Sequence, residues 1–134
     1  MSPAAAPPLP LLPLLLVWLS LSWRLRRVGF AAALAELPRA LPASSRVPDT
    51  AAASTLARRF HRLARRVPGS ACLDQALALS CHLRRLGADA HLVIAATRQA
   101  GFAAHAWVEI AAQPLDEPDL DSAGYKALSR WPEA

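Results

Sequence analysis

Two side chains in this sequence have the types and surroundings of a reacting pair, Cys72 and His105. Cys72 follows the turn-forming run Val67-Pro68-Gly69-Ser70 and heads a helical pattern, whereas His105 begins the extended run His-Ala-Trp-Val-Glu-Ile. A thiol in the first turn of a helix lies near unpaired backbone N–H groups and the positive end of the helix dipole. Both favour thiolate, the nucleophilic form. An imidazole on a packed strand can take the thiol proton and later return it to a leaving group. Taken alone, Cys72 is equally readable as a small buried apolar residue, as most free cysteines are. A reacting pair also needs a group that holds the imidazole. Asp116, in the turn-rich run Gln113-Pro114-Leu115-Asp116, falls where a neighbouring antiparallel strand would begin or end, and is the candidate. Glu117, Asp119 and Asp121 cluster beside it, so a solvated acidic loop is the competing reading.

The elements that would position these residues are readable from periodicity. Cys72, Ala76, Leu79, Leu83 and Leu86 form a stripe that predicts a helix over 72–86 lying against a sheet, with Ser70 as a cap and Gly87 as the stop. Over 88–96, Ala90, Leu92 and Ile94 alternate with His91, Val93 and Ala95, the pattern of a strand with one buried face. Residues 97–102 read as a turn. After it, His105, Trp107 and Glu109 share one face of a second strand, with Ala106, Val108 and Ile110 on the other. Upstream, Leu56, Phe60 and Leu63 predict a helix over 50–66 with its arginines pointing largely elsewhere, ended by Val67-Pro68.

The start of the chain is almost uncharged over 4–23 and is followed by Arg24, Arg26 and Arg27. Pro7, Pro8, Pro10 and Pro13 break its first half, no basic residue precedes it and no small-x-small site follows, all against a signal segment. The uninterrupted part, 14–23, is about half of the roughly 20 residues a membrane-spanning helix needs. A helix over 14–37, used for packing or for a partner, is therefore expected, with membrane association the less favoured alternative. Pro38 and Pro42 end it, and 43–49 is a polar connection. The chain then divides into a hydrophobic N-terminal helical region with its linker, 1–49, and a core, 50–134.

Composition agrees with a small helix-rich domain. The 134 residues are 54% hydrophobic with only five glycines. The formal charge of +5 comes mostly from arginine clusters at 24–27, 58–66 and 84–85, which read as solvated helix faces. No nucleic-acid motif and no glycine-rich phosphate loop is present. Cys72 and Cys81 lie in one predicted helix, badly placed for a mutual bond, and free thiols fit a reducing, cytoplasmic setting. His61 and His82 fall on predicted helix surfaces and His91 on a strand, none at zinc-ligand spacing. No metal or cofactor is called for.

Three runs together resemble a known family: Ser70-Ala-Cys-Leu-x-x-Ala-Leu-Ala, Leu83-Arg-Arg-Leu-Gly, and Phe102-x-Ala-His-Ala-Trp-Val-Glu. In order and spacing they are similar to the leader peptidase of lasso-peptide biosynthesis, a branch of the transglutaminase-like cysteine-peptidase superfamily. The likeness covers roughly 58–121. It implies an α+β fold in which N-terminal helices precede a transglutaminase-like, papain-like core, with the cysteine at a helix N-terminus packed on a small antiparallel sheet bearing His and Asp. It further implies a peptidase that separates leader from core in a ribosomally made precursor, working through a thioester. Cys72 would be the nucleophile, His105 the general base and acid, and Asp116 the orienting acid. The implied partners are the precursor peptide, a separate leader-recognition protein and the ATP-using cyclase that then closes the macrolactam; the chain length fits the stand-alone form of the peptidase. The sequence departs from the family after the His strand, where Ala111-Ala112-Gln113 replaces the usual glycine-containing turn. That departure leaves the acid at Asp116 or shifted to Glu117. An acyltransferase with an amine acceptor and a non-catalytic peptide-binding module are the alternative functions.

Overall fold

A computed structural model of the chain describes residues 8–43, 47–99, 101, 103–117 and 124–133. Four helices, α1 (Leu12–Arg27), α2 (Phe30–Leu34), α3 (Thr50–Ala64) and α4 (Cys72–Arg85), precede four strands. The strands are β1 (Ala90–Thr97), β2 (Ala103–Ile110), β3 (Gln113–Pro114) and β4 (Lys126–Trp131). They form one antiparallel sheet in the order β3-β2-β1-β4. Helices packed on a small antiparallel sheet make this an α+β fold.

The single helix expected over 14–37 is two. Gly29, with φ of 118°, takes a backbone that side-chain-bearing residues avoid, and the chain turns there between α1 and α2. Pro13 sits in the first turn of α1, where its missing N–H costs nothing. Leu14, Trp18 and Leu21 recur at helical spacing and are buried, while Leu12, Leu16, Leu19 and Trp23 face outward. The buried stripe lies on α4 and joins Ala33 and Leu37 to Leu56, Phe60, Leu77, Leu79 and Leu83 in one core. Trp18 meets Phe60 edge-on at 5.2 Å. Side chains from both sides of position 49 thus share a single apolar interior. Among the described residues no helix is long and apolar enough to cross a membrane.

Asp49 caps α3 by accepting a hydrogen bond from Ala52 N–H at 2.7 Å. Ser70, the expected cap of α4, instead donates its hydroxyl to the Ala64 carbonyl at 2.8 Å and so closes the end of α3. At the head of α4, Asp74 accepts from Ala71 N–H at 3.1 Å and from Trp18 Nε1 at 3.3 Å, which ties α1 to the turn that carries Cys72. Two residues expected on solvated faces are interior. Arg84, 3% exposed, donates to the carbonyls of Pro38, Arg39 and Ala90 and pairs with Asp89. His82 is buried too, and burial lowers its pKa.

The β1–β2 ladder runs from Ala90 opposite Ile110 to Thr97 opposite Ala103, which sets His105 opposite Ala95. Ala90, Leu92, Ala106 and Val108 face the main core. The alternation predicted one buried face, but Val93 and Ala95 are covered as well, in a small cluster with Trp107 and Tyr125. β2 and β3 are joined by a two-residue turn, Ala111 and Ala112, both at positive φ (52° and 63°). This is the backbone that normally selects Asn-Gly. The chain keeps the tight turn without a glycine, at a cost in strain.

Candidate active site

Cys72 is the first residue of α4 and is partly exposed. Its thiol lies beside the His105 imidazole and the Ala106 backbone N–H, and both favour the thiolate. These interactions outweigh burial and lower the Cys72 pKa below its ordinary 9.0. β3 pairs with β2 only at Glu109 and Ile110, so the edge of β2 beside Ala106 is left to the thiol.

His105 Nε2 pairs with Glu117 Oε2 at 3.1 Å, leaving Nδ1 as the ring nitrogen available to the thiol. The bonds to Cys72 and to Glu117 raise the His105 pKa from 6.5 to about 10. A lowered thiol and a raised imidazole are the signature of a thiolate–imidazolium pair. The ring is also held by aromatic neighbours, with Trp107 and Tyr125 centroids 5.8 and 5.6 Å away. Trp107 is fixed in turn by donating Nε1 to Glu109 at 2.9 Å, and Glu109 pairs with Arg130 of β4 at 2.8 Å. The run His-Ala-Trp-Val-Glu thus brings together the imidazole, the amide beside the sulfur, and two side chains that brace the ring.

Asp116, the acid expected on His105, is turned instead to His61 of α3, whose Nδ1 donates to Oδ2 at 2.9 Å. Its neighbour Glu117 is the carboxylate that meets His105. Asp119 and Asp121 lie outside the described residues. Residue type and position in the acidic run pointed to this segment; the backbone turn at Asp116, with φ of 54°, decides which acid faces which histidine. His61, expected on a helix surface, is partly buried in the site, and Tyr125 had no sequence signal at all. Cys72, His105, Glu117, His61, Asp116, Arg65, Gln75 and Ala106 line a cleft of about 210 Å³. Cys81 differs in every respect: it is fully buried, its thiol bonds the Glu36 carbonyl at 3.4 Å, and burial raises its pKa.

A nucleophile at a helix start, an imidazole on an adjacent strand and a carboxylate behind it are the parts of a thiol-based acyl-transfer site. A family model described as the transglutaminase-like superfamily matches residues 15–130, and the chain belongs to that superfamily. Cysteine peptidases and acyltransferases are its relevant activities. No curated protein and no solved structure matches the chain. Among the described residues, no cluster of His, Cys, Asp or Glu is arranged to hold a metal.

Proposed function

We propose that this protein is a cysteine peptidase that removes the leader from a ribosomally synthesised lasso-peptide precursor. The observation that carries the chemistry is the aligned set Cys72, His105 and Glu117 at the open edge of β2. The substrate class rests on the resemblance of the three sequence runs to the lasso leader peptidases. In this reading the Cys72 thiolate attacks the scissile carbonyl, and first-turn amides of α4 steady the oxyanion. His105 gives its proton to the departing amine of the core peptide, which leaves the leader as a thioester on Cys72. Water, deprotonated by His105, then attacks the thioester, releasing the leader carboxylate and restoring the pair. Glu117 keeps the imidazole in register and stabilises its charged form. The freed amino terminus is what a separate ATP-using cyclase needs for macrolactam closure, and a separate leader-recognition protein would present the precursor.

Mass spectrometry of a precursor incubated with this protein and its leader-binding partner tests the reading. Cleavage at one bond by wild type, with water added, and none by Cys72→Ala is the expected result. Transfer of the leader to an amine without addition of water makes the protein an acyltransferase. Persistence of the biological task in Cys72→Ala makes it a binding module.

A further inference from the structure

The imidazole of His61 and the carboxylate of Asp116 reach into the same cleft as the reacting pair, yet the chemistry above leaves both unused. Their contact is short, 2.9 Å, and joins elements far apart in sequence, α3 and the loop after β3. Both side chains are mostly shielded, at 15% and 21% exposure. Asp116 itself stands at φ of 54°, a left-handed backbone uncommon for a residue with a side chain, though Asp tolerates it better than most. The turn has a direct consequence for the next residue. β3 runs in a register that pairs Gln113 with Ile110 and Pro114 with Glu109, and Leu115 N–H still bonds the Val108 carbonyl at 2.9 Å. Continued without the turn, the same register would lay Glu117 flat against Ala106. With the turn, the chain leaves the strand edge and the Glu117 carboxylate comes to His105 Nε2.

We infer that His61 is a positioning residue: by anchoring Asp116 in its left-handed turn, it aims Glu117 at His105 and keeps the strand edge clear for Cys72. This deepens the reading of Cys72, His105 and Glu117 as the reacting set, and it gives the polar, arginine-rich side of α3 one residue that acts through the acid loop. Among the described residues, the charged and titratable groups facing the thiol and its imidazole are His61 and Arg65 from α3, His105 from β2, Asp116 and Glu117 from the loop, and Tyr125 just before β4.

The test is the pH dependence of Cys72 alkylation by iodoacetamide on the full chain, followed by mass, beside urea unfolding of each variant. His61→Ala should unfold cooperatively and yet shift the alkylation midpoint upward by about one pH unit, roughly a tenfold loss of rate on the acid side. His61→Asn, which carries an N–H donor at the distance of Nδ1 from the backbone, should restore the wild-type profile. Asp116→Ala should reproduce the His61→Ala shift, and the double variant should shift no further than either alone. A wild-type alkylation profile in folded His61→Ala overturns the inference. So does a Glu117→Gln profile identical to wild type with a displaced Asp116→Asn profile, since Asp116 would then be the acid on His105. Should His61→Ala fail to fold, His61→Asn and His61→Gln decide, because only Asn keeps the donor in place; equal profiles for those two also overturn it. Alkylation needs no peptide substrate. A precursor left uncut with these shifts intact would count against the peptidase reading alone, and cleavage with no shifts against the anchor alone.

Discussion

Removing residues 1–41 should abolish folding rather than release a catalytic core. α1 and the segment after it bury Leu14, Trp18, Leu21 and Leu37 at 0, 7, 3 and 6% exposure. Full burial of a large apolar side chain stabilises by about 1.5–3 kcal/mol, so these four contribute roughly 6–12 kcal/mol. That is an upper figure, because an unfolded chain already hides part of its apolar surface. It still matches the whole stability of an ordinary domain, about 5–15 kcal/mol. The deletion would also leave Phe60 without the Trp18 ring and Asp74 without the indole donor at the head of α4. Point variants grade the effect. Trp18→Ala should lose about 3–5 kcal/mol in urea unfolding followed by circular dichroism. Trp18→Phe keeps most of the ring contact, removes only the bond to Asp74 and should lose about 1–2 kcal/mol. A truncated chain that unfolds cooperatively within about 2 kcal/mol of the full one would refute this reasoning and make 1–41 an appendage. Partner docking by this region is consequently tested on its outward side chains, Leu16, Leu19 and Trp23, rather than by deletion.

Native protein should take one alkyl group, on Cys72, and a second on Cys81 only after unfolding, as peptide mapping would show; equal labelling of both would contradict the burial of Cys81. Since the Cys72 pKa lies below 9.0, alkylation should persist to the acid side of that value. Since the His105 pKa is about 10, peptide cleavage should fall above that pH, where the imidazolium has lost the proton it gives to the amine. His105→Ala should move the alkylation midpoint toward 9.0, and a midpoint unchanged by it would dissolve the pair. Replacing Ala111-Ala112 by Asn-Gly, which accept positive φ readily, should raise stability by about 1–2 kcal/mol with alkylation unaltered; a loss of stability would mean the turn is not strained. Arg84→Met strands three carbonyls, of which that of Ala90 is buried, and should cost on the order of 3 kcal/mol in urea unfolding, whereas a change below about 0.5 kcal/mol would mean water replaces the guanidinium there.

Much of the fold was written in local pattern. The helix headed by Cys72, the helix from Thr50 and the two strands flanking residues 97–102 follow from stripes and alternation, and each is found within a few residues of its expected place. What local pattern could not show was pairing between distant segments. Arg84 reads as a solvated charge because nothing in its neighbourhood reveals that the carbonyls of Pro38 and Arg39 come to it across the fold. His61 reads as a surface residue for the same reason, since its partner lies in a loop after the third strand. The break between α1 and α2 shows in the sequence only as the residue type of Gly29, since helix-compatible residues lie on both sides of it. In the candidate site, the nearness of Cys72 to His105 was legible from type and context, whereas which adjacent acid lies by the imidazole was not. Two neighbouring carboxylates differ in direction by a single backbone turn, and an Asp, which tolerates that turn without requiring it, signals it far more weakly than a Gly.

The shortness of β3 is what makes a site possible here. An exposed strand edge offers a row of unpaired amides, and folds usually cover or blunt it. On β2 the cover stops early among the described residues: β3 pairs at two positions, the chain peels away at Asp116, and the Ala106 N–H is left beside the Cys72 sulfur, where it favours the thiolate. A longer β3 would take that amide into the ladder and place backbone where the thiol now sits. The same departure carries Glu117 out of the strand and behind His105. One turn therefore supplies both the open edge that the nucleophile needs and the carboxylate that the imidazole needs, and the two requirements cannot be separated by substitution at residue 116. Any variant that straightens residue 116 should lose the lowered thiol and the oriented imidazole together, in one step and in the same proportion.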